Sequence, residues 1–237
     1  MILLVTSFEA EDDHDKWRSF VCIVAFMAQG SDGLEVREAS EADIKSLTTI
    51  IPRSCAPDAL LNQLFPPDSV LIQQWWAEVY RKAAKLASYY ILVTVHGYTV
   101  IGVLTLHFWR PEDPISTNNG LCTLVPLTDG HVKRKELEEA LYNQASRRER
   151  IMQKQPNFMI DLMVVDQEYQ NGGIGRRMVE CACRIADPKN AAIFLQTTKA
   201  IAFYLNLNMG FESQRGDEES GVVIRLPTQD HLDPDST

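Results

Sequence analysis

Residues 163–175, MVVDQEYQNGGIG, combine the residue types that an anion-binding turn needs. A hydrophobic strand runs into a glycine-containing loop, and the loop opens a helix whose Ile174, Met178, Cys181 and Ile185 recur at inward-facing spacing. Backbone N–H groups in the first turn of a helix have no intrahelical partner and sit at the positive end of the helix dipole, so they can clasp a pyrophosphate. Gly173 and Gly175 carry no Cβ, which lets phosphate oxygens approach the main chain. Spacing separates the kinds of phosphate loop. The chain has no GxxxxGK[ST]. A dinucleotide fingerprint, GxGxxG, fails because Met178 stands where the third glycine belongs. What remains is Q-x-x-G-x-G, filled by Gln170, Gly173 and Gly175, a pattern that a simple tight strand-to-helix turn also satisfies.

A second segment narrows the choice. AIAFYLNLNMGF at residues 200–211 follows the loop after a helix and a strand, and VREASEADI opens the regular part of the chain at residues 36–44. Together with the Q-x-x-G-x-G loop these segments resemble the GNAT superfamily of acyl-CoA-dependent N-acetyltransferases, over about residues 35–226. The resemblance implies an α/β fold of the α+β type, with a mixed, largely antiparallel sheet flanked by helices on both faces. It implies acetyl-CoA as acyl donor, an amine as acceptor, and direct transfer without a covalent enzyme intermediate. It further places the pantetheine arm on the main chain of Met163, Val164 and Val165 with help from Thr197. The pyrophosphate falls on Gln170, Asn171, Gly172, Gly173, Ile174, Gly175 and Arg176. Three departures stand out: Thr197 where many members have Asn, Gln167 in place of a common proline, and Gly172 where a basic residue is frequent. Arg176 and Arg177 are then the side chains left to supply phosphate charge, Arg176 first because it lies nearer the helix start.

Acetylating an amine raises two proton problems. An amine with pKa about 10.4 is protonated near neutral pH, and the departing thiolate gains from an acid. The resemblance nominates Tyr204 as that acid, and a phenol still carries its proton at neutral pH. Read as residues alone, Tyr204 and Phe203 fit core packing equally well. For the base, Asp161 comes first, because a carboxylate inside an apolar run is costly unless paired, exposed or used. His107 at a strand end is the second choice, and a water relay with no dedicated base the third. A main-chain amide nearby is expected to polarise the thioester carbonyl. The rival reading is a non-catalytic GNAT-like module that binds acyl-CoA for regulation.

These groups need a scaffold, and the rest of the chain supplies one. Strands are expected at 34–38, 90–96, 99–108, 158–165, 191–197 and 222–226, with the turn HGYT joining the second and third. Ser40 with Asp43 caps a helix from about Glu41 that ends between Pro52 and Pro57. Ser69 caps another over 70–88, with Leu71, Trp75, Val79 and Leu86 as its apolar stripe. Further helices are expected at 172–186 and 200–208, the last stopped by Gly210. Residues 109–156 interrupt this order as a loop and an amphipathic helix carrying Leu137, Leu141, Ala145 and Met152. Its KRK and RRER runs read as a solvated face. Lying outside the family pattern, this insertion is expected to shape the acceptor side.

Residues 1–33 form an N-terminal extension, residues 34–226 the acetyltransferase domain, and residues 227–237 a loose tail. The apolar run at 20–28 is too short to span a bilayer and follows the acidic EAEDDHD rather than a basic segment, so it reads as packed structure. In 237 residues, 23 Lys+Arg face 32 Asp+Glu, a formal charge of −9 that argues against a nucleic-acid surface. The five cysteines make no CxxC pair, so we expect a reducing, cytoplasmic setting, with no metal site and no membrane contact. Cys181 and Cys183, two apart on a helix, point in different directions. The expected partners are acetyl-CoA and an amine, with the chain a monomer or homodimer.

Overall fold

Runs of Ile, Leu, Val and Thr make two long neighbours in the sheet, β2 (Tyr89–His96) and β3 (Thr99–Trp109), paired antiparallel across the turn at Gly97. In this computed structural model the described residues are 33–56, 62, 65–66, 68–110, 112, 120–126, 134–197, 200–214 and 221–227. The other strands are β1 (Leu34–Glu38), β4 (Asn157–Val165), β5 (Ala192–Gln196), β6 (Phe211–Ser213) and β7 (Val222–Arg225). They join one seven-stranded sheet in the order β1-β2-β3-β4-β5-β7-β6. Only β4 and β5 pair in parallel. The sheet is therefore mixed and largely antiparallel, as expected.

β4 is irregular along both of its edges. Its ladder to β5 registers only Asn157, Phe158 and Met159 against Ala192, Ile193 and Phe194, so the two strands part beyond Met159. On its other edge Thr105 pairs with Leu162 while Leu106 pairs with Ile160. Asp161 is thus the extra residue of a bulge, the kind of break that re-aims a side chain.

Among the described residues five helices cover the sheet: α1 (Ile44–Cys55), α2 (Val70–Ala83), α3 (Arg134–Met152), α4 (Ile174–Ala186) and α5 (Ile201–Leu205). On one face α4 and α5 pack against Tyr90, Leu92, Leu104, Phe158, Ile193 and Val223. Both Cys181 and Cys183 of α4 are buried in this core, because the helix is covered over more than one side. The other face carries α1 and α2 over Tyr89, Ile91, Val93 and Val103, and the end of α3 over Met159 and Phe194. Side-chain contacts brace the entries to α1 and α2. The Ser40 N–H donates to Asp43 Oδ2 at 2.7 Å, and Arg37 grips the same carboxylate at 2.7 and 2.8 Å. That guanidinium, with Ser40 adding to it and burial opposing, holds the Asp43 carboxyl down at about 2. Ser69 Oγ accepts from the Ile72 N–H at 3.4 Å to start α2.

α1 ends at Cys55, between Pro52 and Pro57 as expected. Other expectations need correction. α2 stops at Ala83, short of Ser88, and buries Ile72, Trp75, Trp76, Val79, Tyr80 and Ala83, leaving Leu71 68% and Leu86 41% exposed. The cap at Ser69 sets the rotation of that helix, and the two tryptophans, having the most surface to bury, take the centre of the face. The strand β6 has no apolar alternation in FES and gave no periodic signal. The RRER run is not wholly solvated, since Arg148 is buried at 2% exposure. The extension through residue 32, the segments 113–119 and 127–133 with the start of the KRK run, and the tail from 228 lie outside the described residues, as does the side chain of Leu137. No helix of the described residues is long and apolar enough to cross a membrane.

Candidate active site

The turn between β4 and α4 is anchored at its base and open at its top. Asp166 is buried, its N–H donates to the Ile101 carbonyl at 2.8 Å, and its carboxylate pairs with Arg53 at the end of α1. A short 3-10 turn, Gln167–Tyr169, comes next, and residues 170–173 are exposed. The Gln170 side chain is used within the fold, donating from Nε2 to the Val165 carbonyl at 3.1 Å. Asn171 and Gly173 are left-handed, with φ of 64° and 77°. Gly173 is the N-cap of α4 and has no side chain to satisfy the first turn. A Cβ there would meet no atom within 4 Å, so the space beside these amides is open. Gly175 has a different reason: its Cβ would lie 3.1 Å from Phe203, so the glycine lets α5 approach α4. Arg176 is exposed beside the turn, with Nε donating to Glu180 at 3.1 Å.

Across the split, Thr197 follows the end of β5. Its N–H donates to Gly221 at 2.9 Å, and its Oγ1 accepts from the Ala200 N–H at 3.1 Å at the start of α5. Met163 and Val165 pack toward the α4 face, whereas Val164 is buried toward α1 and α2. Tyr204, 4% exposed, stands between Phe203 and Phe211 at 5.0 and 5.6 Å, and its hydroxyl donates to Met163 Sδ at 3.9 Å. Burial pushes the phenol above its ordinary range, so it holds its proton at neutral pH.

Asp161 lies on the opposite face of the same strand. Its Oδ2 accepts the Leu121 N–H at 3.1 Å. Burial pushes this carboxyl up to about 7, against the lowering effect of the Arg148 charge and the Leu121 amide. It can therefore take and release a proton near neutrality. His107, the second choice for a base, is fully buried and stacks on Tyr89 with ring centroids 4.3 Å apart. The structure brings Tyr204 and Asp161 to one stretch of β4 from its two faces.

Gly120 and Arg148 also belong to this neighbourhood. At Gly120 φ is 92°, and an added Cβ would fall 2.9 Å from Asp161 Oδ1. The guanidinium of Arg148 lies 4.8 Å from the Trp109 ring centroid, and its Nη1 donates to Met159 Sδ at 3.7 Å. Sequence spacing signalled neither. The NNG at residues 118–120 reads as an ordinary turn, and an arginine within RRER reads as solvated. The one available signal was position, since Arg148 falls seven residues after Leu141 on the apolar side of α3.

The described strands thus form a mixed sheet whose parallel pair, β4 and β5, parts beyond Met159, with the glycine-capped α4 following β4. The chain belongs to the acetyltransferase (GNAT) family, whose model matches residues 57–211, more than half of its length. Among solved structures it is similar to arylalkylamine N-acetyltransferase 2 from Aedes aegypti, at 11% identity and a TM-score of 0.57, covering 82% of this chain and 99% of that one. A second is a structure described as histone acetyltransferase HPA2 and related acetyltransferase from Corynebacterium glutamicum, at 16% identity and a TM-score of 0.53, covering 84% and 99%. At such identities the likeness is one of fold. No curated protein matches the chain. Among the described residues no group of three or more His, Cys, Asp or Glu is placed to hold a metal ion.

Proposed function

We propose that this chain is an N-acetyltransferase that uses acetyl-CoA to acetylate an amine by direct attack. The observation that carries the reading is Asp161, a bulged carboxyl with a pKa near 7 on the strand that also receives the Tyr204 hydroxyl. The donor supplies an activated acyl thioester and a thiolate leaving group. Its pyrophosphate suits the uncapped first turn of α4 at Gly173, Ile174 and Gly175, with Asn171, Gly172 and Arg176 around it. Its pantetheine arm suits the edge of β4 at Met163, Val164 and Val165 that β5 leaves unpaired, with the Thr197 hydroxyl and Gln170 beside it. Cys122, Cys181 and Cys183 form no disulfide, in keeping with the reducing cytoplasm where such a donor is found.

Asp161 takes the proton of the attacking amine as the C–N bond forms. Tyr204 gives its proton to the sulfur as the C–S bond breaks, and regains one from solvent. The two groups approach from opposite faces, which keeps acid and base from exchanging a proton directly. Residues 109–156 shape the acceptor side, since Gly120 and Leu121 lie against Asp161 and α3 brings Arg148 beside it. The test is acetyl-CoA-dependent thiol release against a panel of amines. Release with at least one amine, with N-acetylated product found by mass, is expected. CoA binding without release on any amine would instead make the chain an acyl-CoA-binding module.

A further inference from the structure

On α3 the residues Asn143, Ser146, Arg147 and Arg150 recur at three- and four-residue spacing, so they form one stripe of the helix. Leu141, Ala145, Arg148 and Met152 form another stripe, and it faces the sheet. The polar stripe lines a cavity of about 500 Å³ whose far wall is Gln196, the last residue of β5. That volume is in the range of small-ligand sites.

The position of the cavity follows from strand alternation. Phe194 pairs with Met159 on the α3 face, and Gln196, two residues on, shares that face. Asp161 is on it too, since the Cβ that Gly120 lacks would touch both Asp161 and Met159. The cavity therefore adjoins the opening between β4 and β5 from the side opposite α4.

Its chemistry is mixed. Two guanidiniums on one wall favour an anion, in a chain whose overall formal charge is −9. On the other wall the Gln196 Oε1 is buried and accepts no hydrogen bond among the described residues, and such an oxygen wants an N–H donor. A simple monoamine would satisfy only the second wall.

Resting on the acyltransferase reading, we propose that this cavity is the acceptor pocket and that it selects a small amine bearing an anionic group, carboxylate or phosphate. The anion pairs with Arg147 and Arg150, and the nitrogen lies between Gln196 and Asp161.

Matched acceptors test this: ethanolamine against O-phosphoethanolamine, and propylamine against β-alanine. Wild type should use one anionic member with kcat/KM at least about 10-fold above its neutral partner, and which pair shows it tells phosphate from carboxylate. In Arg147→Gln/Arg150→Gln that preference should fall toward unity through KM, and Arg147→Lys/Arg150→Lys should restore part of it. Unchanged CoA affinity and melting temperature show that the variants fold. Should no amine support turnover, calorimetry with O-phosphoethanolamine and β-alanine addresses the pocket by itself. Binding lost in the Gln variant sustains it. Equal use of matched partners, a preference that survives the Gln substitutions, or no binding of either anion would overturn the proposal.

Discussion

The two faces of the sheet present their chemistry by different means. On the α4 face the groups proposed to meet the ligand are main-chain amides around Gly173, and their aim depends on backbone conformation and on the absence of side chains. On the α3 face they come from separate segments: the Asp161 carboxyl from a bulge, the Arg148 guanidinium from a helix, and the main-chain amide of Leu121 from the turn after Gly120. Amides at a helix start serve any pyrophosphate alike, so under the proposed function that half would hold what all substrates share. Side chains brought together by tertiary folding can be exchanged one at a time, and under the same proposal that half would set acceptor choice.

The largest expected effect is on the α4 face. Gly173→Glu sets a carboxylate where the phosphates would lie and forces a left-handed residue to carry a Cβ. The surrounding space is open, so the fold should survive. CoA affinity by calorimetry should fall by roughly 10³-fold, as expected for losing two hydrogen bonds to a charged group at about 1.5–3 kcal/mol each. Undiminished affinity in the folded variant would remove the pyrophosphate from this turn.

Tyr204→Phe comes next and tests the boundary between the halves. It keeps nearly all the packed volume and loses only the hydroxyl at Met163. With a general-acid role kcat should drop roughly 10²-fold while CoA affinity holds. A purely structural tyrosine predicts unchanged turnover, with Phe203→Leu the damaging substitution instead.

Gly120→Ala should act on the α3 face alone. The added methyl at 2.9 Å from Asp161 Oδ1 displaces the carboxyl, and a small misplacement can cost up to about 10²-fold in rate, so a kcat loss of roughly 10-fold is expected. CoA affinity should not move. If it falls instead, the two faces are not separable.

The smallest effect should be on stability and on neither site. Asp43→Ala removes the cap and the Arg37 ion pair at the entry to α1, and should cost about 1–2 kcal/mol in denaturant unfolding. Because the folded carboxyl titrates at about 2, below its ordinary 3.8, this contribution is present above about pH 4 and fades as pH falls toward 2. The variant should therefore lose less stability on acidification than wild type does.

Legibility followed the same division. Q-x-x-G-x-G marked the α4 turn because the shape of the turn rests on local backbone, which glycine spacing reports directly. Even there the packing of Gly175 against Phe203 could not be read, since Phe203 lies well along the chain. Asp161 was visible as a charge in an apolar strand, but the bulge that turns it and the loop that covers it depend on pairing and packing. Arg148 and the stripe facing Gln196 needed the docked position of α3 before their surroundings could be known. The strands with strong β-branched runs were clear, whereas β6, three residues held only by pairing with β7, was not.

The central claim, that Asp161 is the base serving acyl transfer, is tested most directly by the pH dependence of kcat/KM for thiol release in wild type and Asp161→Asn. A base must be deprotonated to act, so the wild-type rate should rise with pH through about 7 and level off above it. Asp161→Asn should be slower by roughly 10²-fold or more at the plateau and lose that limb, with CoA affinity retained. The same carboxyl, raised in the folded state, should make stability decline between about pH 4 and 7, a decline the variant lacks. An Asp161→Asn protein that turns over at the wild-type rate with the same limb would contradict the account.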